Sequence, residues 1–163
     1  MSSKTLSPLL GGVAGEYFVA AELSARGYIA SITLRNTKGV DILCSNEDAS
    51  KTIGIQVKTN KSSKRSWVLN QKSEDYFADN LYYIFVNLND NNKPPDYFIV
   101  SSEHVAKHIK KTHREWLDTP GKNGNKHNDN TLRKFTDEKE EFLNRCLLLG
   151  ITYIRWWLIT EIC

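Results

Sequence analysis

Apolar positions recur along this chain at helical spacing in some stretches and at every second residue in others, and the change from one spacing to the other marks the elements. Ser7-Pro8 reads as a helix start, with serine as cap and proline in the first turn. Leu10, Val13, Tyr17, Ala20, Ala21 and Leu23 carry the helical pattern onward, and Gly27 is a natural stop. Three strand-like segments follow. Tyr28–Leu34 is rich in β-formers, and Val40–Ser45 is a compact apolar run with one acid inside it. Thr52–Thr59 alternates strictly, with Ile53, Ile55 and Val57 on one face and Gly54, Gln56 and Lys58 on the other. Lys61–Arg65 reads as a basic loop, and Ser73 begins a short helix with Glu74 and Asp75 in its first turn.

Leu81–Leu88 is the strongest strand signal and reads as central and buried, with a further strand at Asp96–Val100. Ser102 caps a helix to about Leu117, lined on one face by Val105, Ile109, Thr112 and Trp116. Asp118–Asn130, rich in glycine and asparagine, reads as a long loop, and Thr136 as the cap of a last helix ending at Gly150. The order predicts an α/β sandwich with a central mixed sheet flanked by helices, plus C-terminal helices. A length of 163 residues suits one domain, with a core over about 8–100 and an extension over about 101–163.

Composition narrows the class only a little. Apolar and charged shares of 40% and 25% are those of an ordinary globular chain, with no run long enough to cross a bilayer. The N-terminus lacks the apolar core of a signal peptide, and Cys44, Cys146 and Cys163 form neither a disulfide framework nor a zinc knuckle. A cytoplasmic location without membrane attachment is the expectation. Charge is more informative in its distribution than in its net value of +3. Residues 51–72 hold six cations and no acid, and residues 101–135 hold eight cations against four acids, as a phosphate-tracking surface would. Solvated loops and helix faces are the plainer explanation of the same charges.

The candidate chemistry lies in four residues. Glu16 shares the helix stripe of Val13, Ala20 and Leu23, where a charge needs a partner or a metal. Asp41 interrupts the apolar strand Gly-Val-Asp-Ile-Leu-Cys. Gln56 and Lys58 share the face opposite Val57. Each has an ordinary explanation alone, Asp41 as a strand-edge residue and the other two as a wet strand face. Their joint order and spacing carry the interest.

That order resembles the PD-(D/E)XK nuclease superfamily, which includes restriction enzymes and Holliday-junction resolvases. The likeness covers roughly residues 8–60, and Leu81–Leu88 suits the next core strand. It implies a restriction-endonuclease-like fold and a metal-dependent endonuclease that hydrolyses phosphodiesters, DNA ahead of RNA. Glu16, Asp41, Gln56 and Lys58 would be its catalytic set. Asp41, Gln56, the Val57 carbonyl and Glu16 would serve Mg²⁺ or Mn²⁺, while Lys58 would orient water or stabilise the phosphorus centre. Two departures stand out: Val40 replaces the proline before the aspartate, and Gln56 replaces the commoner acid, taking one negative charge from the site. Lys61, Lys64, Arg65, Arg114, Lys122 and Lys126 are the candidate nucleic-acid contacts, with Trp116 either a stacking partner or simply the anchor of its helix beside a surface loop. The sequence leaves room for a homodimer.

Other features weigh less. His104 and His108 stand at i,i+4 without a third ligand of evident spacing, so zinc is disfavoured. The apolar tail Ile151–Cys163 is expected to add a strand or an oligomer contact. Two rival readings remain: a nuclease fold that binds nucleic acid without cutting it, and a protein-interaction domain whose polar residues coincide by chance.

Overall fold

The structure, a computed structural model, describes residues 6–34, 38–61, 64–89, 93–121, 123–139 and 141–142. In chain order its elements are α1 (Pro8–Ala25), β1 (Ile29–Ile32), β2 (Ile42–Ser45), β3 (Thr52–Asn60) and β4 (Ser66–Asn70). After a 3₁₀ turn at Gln71–Glu74 come β5 (Leu81–Asn87), β6 (Asp96–Ser101), α2 (Ser102–Asp118) and β7 (Leu132–Thr136). Five strands form one mixed sheet in the order β1-β2-β3-β5-β6, parallel between β3 and β5 and antiparallel elsewhere. β4 and β7 form a separate antiparallel ribbon. The chain is therefore an α/β sandwich whose central mixed sheet lies between two helices, as its apolar rhythm predicts.

Strand alternation divides the core in two. Ile42, Cys44, Ile53, Ile55, Val57, Ile84 and Val86 meet Val19 and Leu23 of α1 on one face. On the other, Tyr83, Phe85, Phe98 and Val100 meet Val105 and Ile109 of α2 together with Trp67, Leu69 and Phe135 of the ribbon. Parallel strands need a long crossover, normally a helix. Here β4 and the 3₁₀ turn supply it, so the helix expected at Ser73 is a single tight turn capped by Asn70.

α1 packs through a different stripe from the one its large residues suggest. Gly11, Gly15, Val19 and Leu23 are buried, whereas Leu9, Leu10, Tyr17 and Phe18 are exposed. The two glycines bring the helix axis close to the end of β3. Lys61 lays its stem along Gly11, and its ammonium donates to the Leu6 carbonyl. At Gly15 any Cβ would overlap Thr59 Oγ1. Gly15→Ala should therefore cost about 1–3 kcal/mol, the usual penalty for overpacking, read as a lower urea midpoint.

The ribbon corrects two expectations. Ser66–Asn70 and Leu132–Thr136, neither foreseen as a strand, pair with each other. Thr136 ends β7 and does not cap a helix. Asp137 is buried beyond it, its carboxylate accepting from the Glu141 and Phe142 amides. The rest of the helix expected to Gly150, and the tail Ile151–Cys163, lie outside the described residues. Within the described residues no helix is long and apolar enough to cross a membrane.

His104 and His108 pack as rings, His104 edge-on to Phe142 and His108 against Phe135. Burial holds His108 below the usual histidine value of 6.5, helped by the charges of His104 and Lys111 and opposed by Asp137 and Glu115. The unfolded chain takes up this proton first. The stability from neutral His108 is thus complete above pH 6.5 and is lost as pH falls through its lower folded value. Denaturant midpoints should drop with acidification below that point, and His108→Gln should flatten the decline.

Candidate active site

Asp41 stands where β2 begins, and the main chain fixes it on both sides. Its N–H donates to the Ile55 carbonyl of β3 at 2.8 Å, and its own carbonyl accepts from Thr33 N–H beyond β1 at 2.9 Å. Thr33 Oγ1 also donates to the Val40 carbonyl at 2.7 Å. Ladder register pairs Ile42 with Ile55, so the added Asp41 bond to that same carbonyl means that β2 departs from regular pairing here. The Asp41 side chain takes over: Oδ2 accepts from Val57 N–H at 2.7 Å. The carboxylate is thereby set against the backbone between Gln56 and Lys58. Its second oxygen has no hydrogen-bond partner among the described residues.

Gln56 and Lys58 are half-buried, and Val57 between them is buried in the α1-side core. Across the parallel pairing Gln56 stands beside Tyr83 and Lys58 beside Phe85. Neither the Gln56 amide nor the Lys58 ammonium has a hydrogen-bond or ion-pair partner among the described residues. The structure therefore seats the Asp41 carboxylate, one residue before β2, against the β3 backbone between Gln56 and Lys58.

Glu16 lies on α1, which packs on the Val57 face of β3, whereas Gln56 and Lys58 stand on the opposite face beside Tyr83 and Phe85. Glu16 follows Gly15, which touches Thr59, the residue after Lys58, and it is half-buried. Thr59 Oγ1, trapped under that helix turn, is buried without a partner.

Two tyrosines join the site that the sequence did not mark. The Tyr83 hydroxyl is buried with no hydrogen bond of normal geometry. Burial pushes its pKa up, the charges of Tyr76 and Asp41 add to this, and nearby Ser73 opposes it. An unpaired buried hydroxyl is costly, and such groups gather where a ligand or water completes them. Tyr76 clamps the turn into Asp41: its ring lies where a Cβ of Gly39 would be, and its hydroxyl donates to the Lys38 carbonyl at 3.2 Å. Gly39 also has φ +71, so both its backbone and its lack of a side chain are required. Only the strand pairing reveals Tyr83 as a neighbour of Gln56, since its alternation alone reads as core.

The candidate basic contacts fall into two regions. Lys64 is exposed and Arg65 half-buried in the connection leaving β3, with the Lys64 carbonyl held by Asn60 Nδ2. Lys61 lies there too, its ammonium engaged with Leu6. Arg114 on α2 and Lys126 in the following loop are exposed, and Lys122 lies outside the described residues. Between the regions runs the ribbon, with β4 beside β3 and β7 beside α2.

No protein-family model matches the sequence, and neither does any curated protein. Among solved structures the chain is similar to Hjc, a Holliday junction resolvase from the archaeal hyperthermophile Archaeoglobus fulgidus. The TM-score is 0.43 and the identity 11%, over 77% of this chain and 91% of that one.

The described residues contain no cluster of three His, Cys, Asp or Glu. What Asp41 and Gln56 offer instead is a carboxylate oxygen and an amide oxygen. Hard donors of this kind could hold Mg²⁺ or Mn²⁺, whereas a structural zinc ion favours nitrogen and sulfur.

Proposed function

We propose that this chain is a divalent-metal-dependent nuclease that hydrolyses phosphodiester bonds, in DNA ahead of RNA. The observation that supports this most is the hydrogen bond from Val57 N–H to the Asp41 carboxylate, which seats an acid against the Gln56-Val57-Lys58 segment. Asp41, Gln56 and the Val57 carbonyl would hold Mg²⁺ or Mn²⁺. Bound there, the ion would polarise the phosphodiester and offset the charge that develops on it.

The chain's own groups have distinct tasks. Asp41 is held by bonds on both sides, so little reorganisation is needed when charge develops. The Lys58 ammonium would donate to a phosphate oxygen or orient the attacking water. Tyr83 would donate its unpaired proton to a water or a substrate oxygen beside Gln56. Lys64 and Arg65, leaving the same strand, would grip neighbouring phosphates.

Incubation of supercoiled plasmid with the protein tests this. Nicking that needs Mg²⁺ or Mn²⁺ and stops with chelator is expected. Intact plasmid with either ion would refute it. The neutral amide at position 56 favours one second reading, a module that binds nucleic acid without cutting it, and the same assay joined to a binding measurement separates the two.

A further inference from the structure

Away from Asp41, a cavity of about 380 Å³ opens between the ribbon and the second half of α2. Ladder register places Val68 opposite Lys134, and both line it with Leu132 and Thr136. Val68 and Leu132 are each 61% exposed, which is unusual for residues of a ribbon whose other side is core. Thr112, His113 and Trp116 form the helix wall, and Asn130 closes one end.

The walls are held by polar contacts. His113 Nε2 meets Asp129 Oδ1 at 2.8 Å and ties the loop after α2 to the helix. Arg133 is buried, engaged by Glu74 and donating to the Asn130 carbonyl at 2.6 Å, so its guanidinium is consumed from within. Lys134 remains as an exposed cation with no ion pair among the described residues. His127 stacks on Trp116 at 4.1 Å and the His113 ring tilts against it at 5.4 Å, yet Trp116 stays 39% exposed.

A flat aromatic wall, an apolar floor, an amide and a free cation match a base with its phosphate. The volume lies within the range of small-molecule sites. Arg133 and Lys134 are the charged residues that line it, and with Arg133 ion-paired to Glu74 the Lys134 ammonium favours a ligand carrying a phosphate over an apolar peptide.

We propose that this cavity takes an unpaired nucleobase of the bound strand, stacked on Trp116 with its phosphate on Lys134. The assignment deepens the nuclease reading and rests on it. It gives the protein a preference for substrates carrying a single-stranded segment, with the ribbon spanning the distance from the cutting site.

Anisotropy titrations of a short labelled single strand, and of the same strand built from abasic units, test this in chelator, where no cleavage occurs. Wild type should bind the base-bearing strand about tenfold more tightly than the abasic one, the scale of one stacked base. Trp116→Ala should abolish that difference without weakening the abasic strand, and Trp116→Phe should retain most of it. Lys134→Ala should weaken both strands alike. Equal affinities for the two strands in wild type, or an unchanged preference in Trp116→Ala, overturn the assignment. Should wild type cut plasmid but show no such preference, only the cavity assignment falls. Should the preference appear without any cutting, the nuclease reading falls, and with it the cavity's role beside a cutting site, leaving only base binding at Trp116.

Discussion

Asp41→Asn should lower metal-dependent DNA cleavage by about 10³-fold, the upper scale for removing one preorganised electrostatic contact. The substitution is chosen because an amide oxygen can still accept from Val57 N–H, so the local backbone keeps its 2.7 Å bond while the charge is lost. A drop in activity at unchanged thermal stability then reports on chemistry alone. Lys58→Ala should act on a similar scale, since its ammonium supports no other described group. Cleavage rates on plasmid at saturating Mn²⁺ provide the measurement. Near-wild-type rates in either variant would remove these residues from the mechanism.

Phe85→Ala should bring the largest loss of stability. The ring is fully buried on β5, stacks on Phe135 at 4.4 Å, and meets Trp67 and Tyr83 at 5.0 and 5.6 Å. Its removal leaves a cavity where the sheet, the ribbon and α2 meet. Phenylalanine-to-alanine changes of this kind cost about 3–5 kcal/mol. For a chain of this size that lowers Tm by roughly 6–20 °C. Phe85 is also the cross-strand neighbour of Lys58, so partial loss of cleavage is expected below the melting transition. A fall of under about 1 kcal/mol would mean that the second core can close around the gap.

What the sequence made legible, and what it hid, follows from the range of the interactions. The alternation of Thr52–Thr59 is local, and it correctly separates Val57 from Gln56 and Lys58. The helix at Pro8–Ala25 is equally local in its cap and its stop. Of the positions that carry its helical pattern, Leu10 and Tyr17 are exposed and Leu23 is buried. The buried stripe is led by Gly11 and Gly15, which matter for what they lack. Ribbon strands β4 and β7 are short and separated by more than sixty residues. Neither bears a strong local signal, and only the pairing of Trp67 and Phe135 against the sheet makes them strands. The two site tyrosines were hidden for the same reason. Tyr83 beside Gln56 and Tyr76 over Gly39 are tertiary neighbours, and nothing in either local pattern separates them from core or surface aromatics.

Anomalous diffraction from crystals soaked in Mn²⁺ tests most directly whether one carboxylate just before β2 and one amide on β3 hold a working cation. A peak about 2.1 Å from oxygens of both Asp41 and Gln56 is the expected result. A soaked crystal with that position free of manganese, and with the metal only at unrelated surface carboxylates, would contradict it.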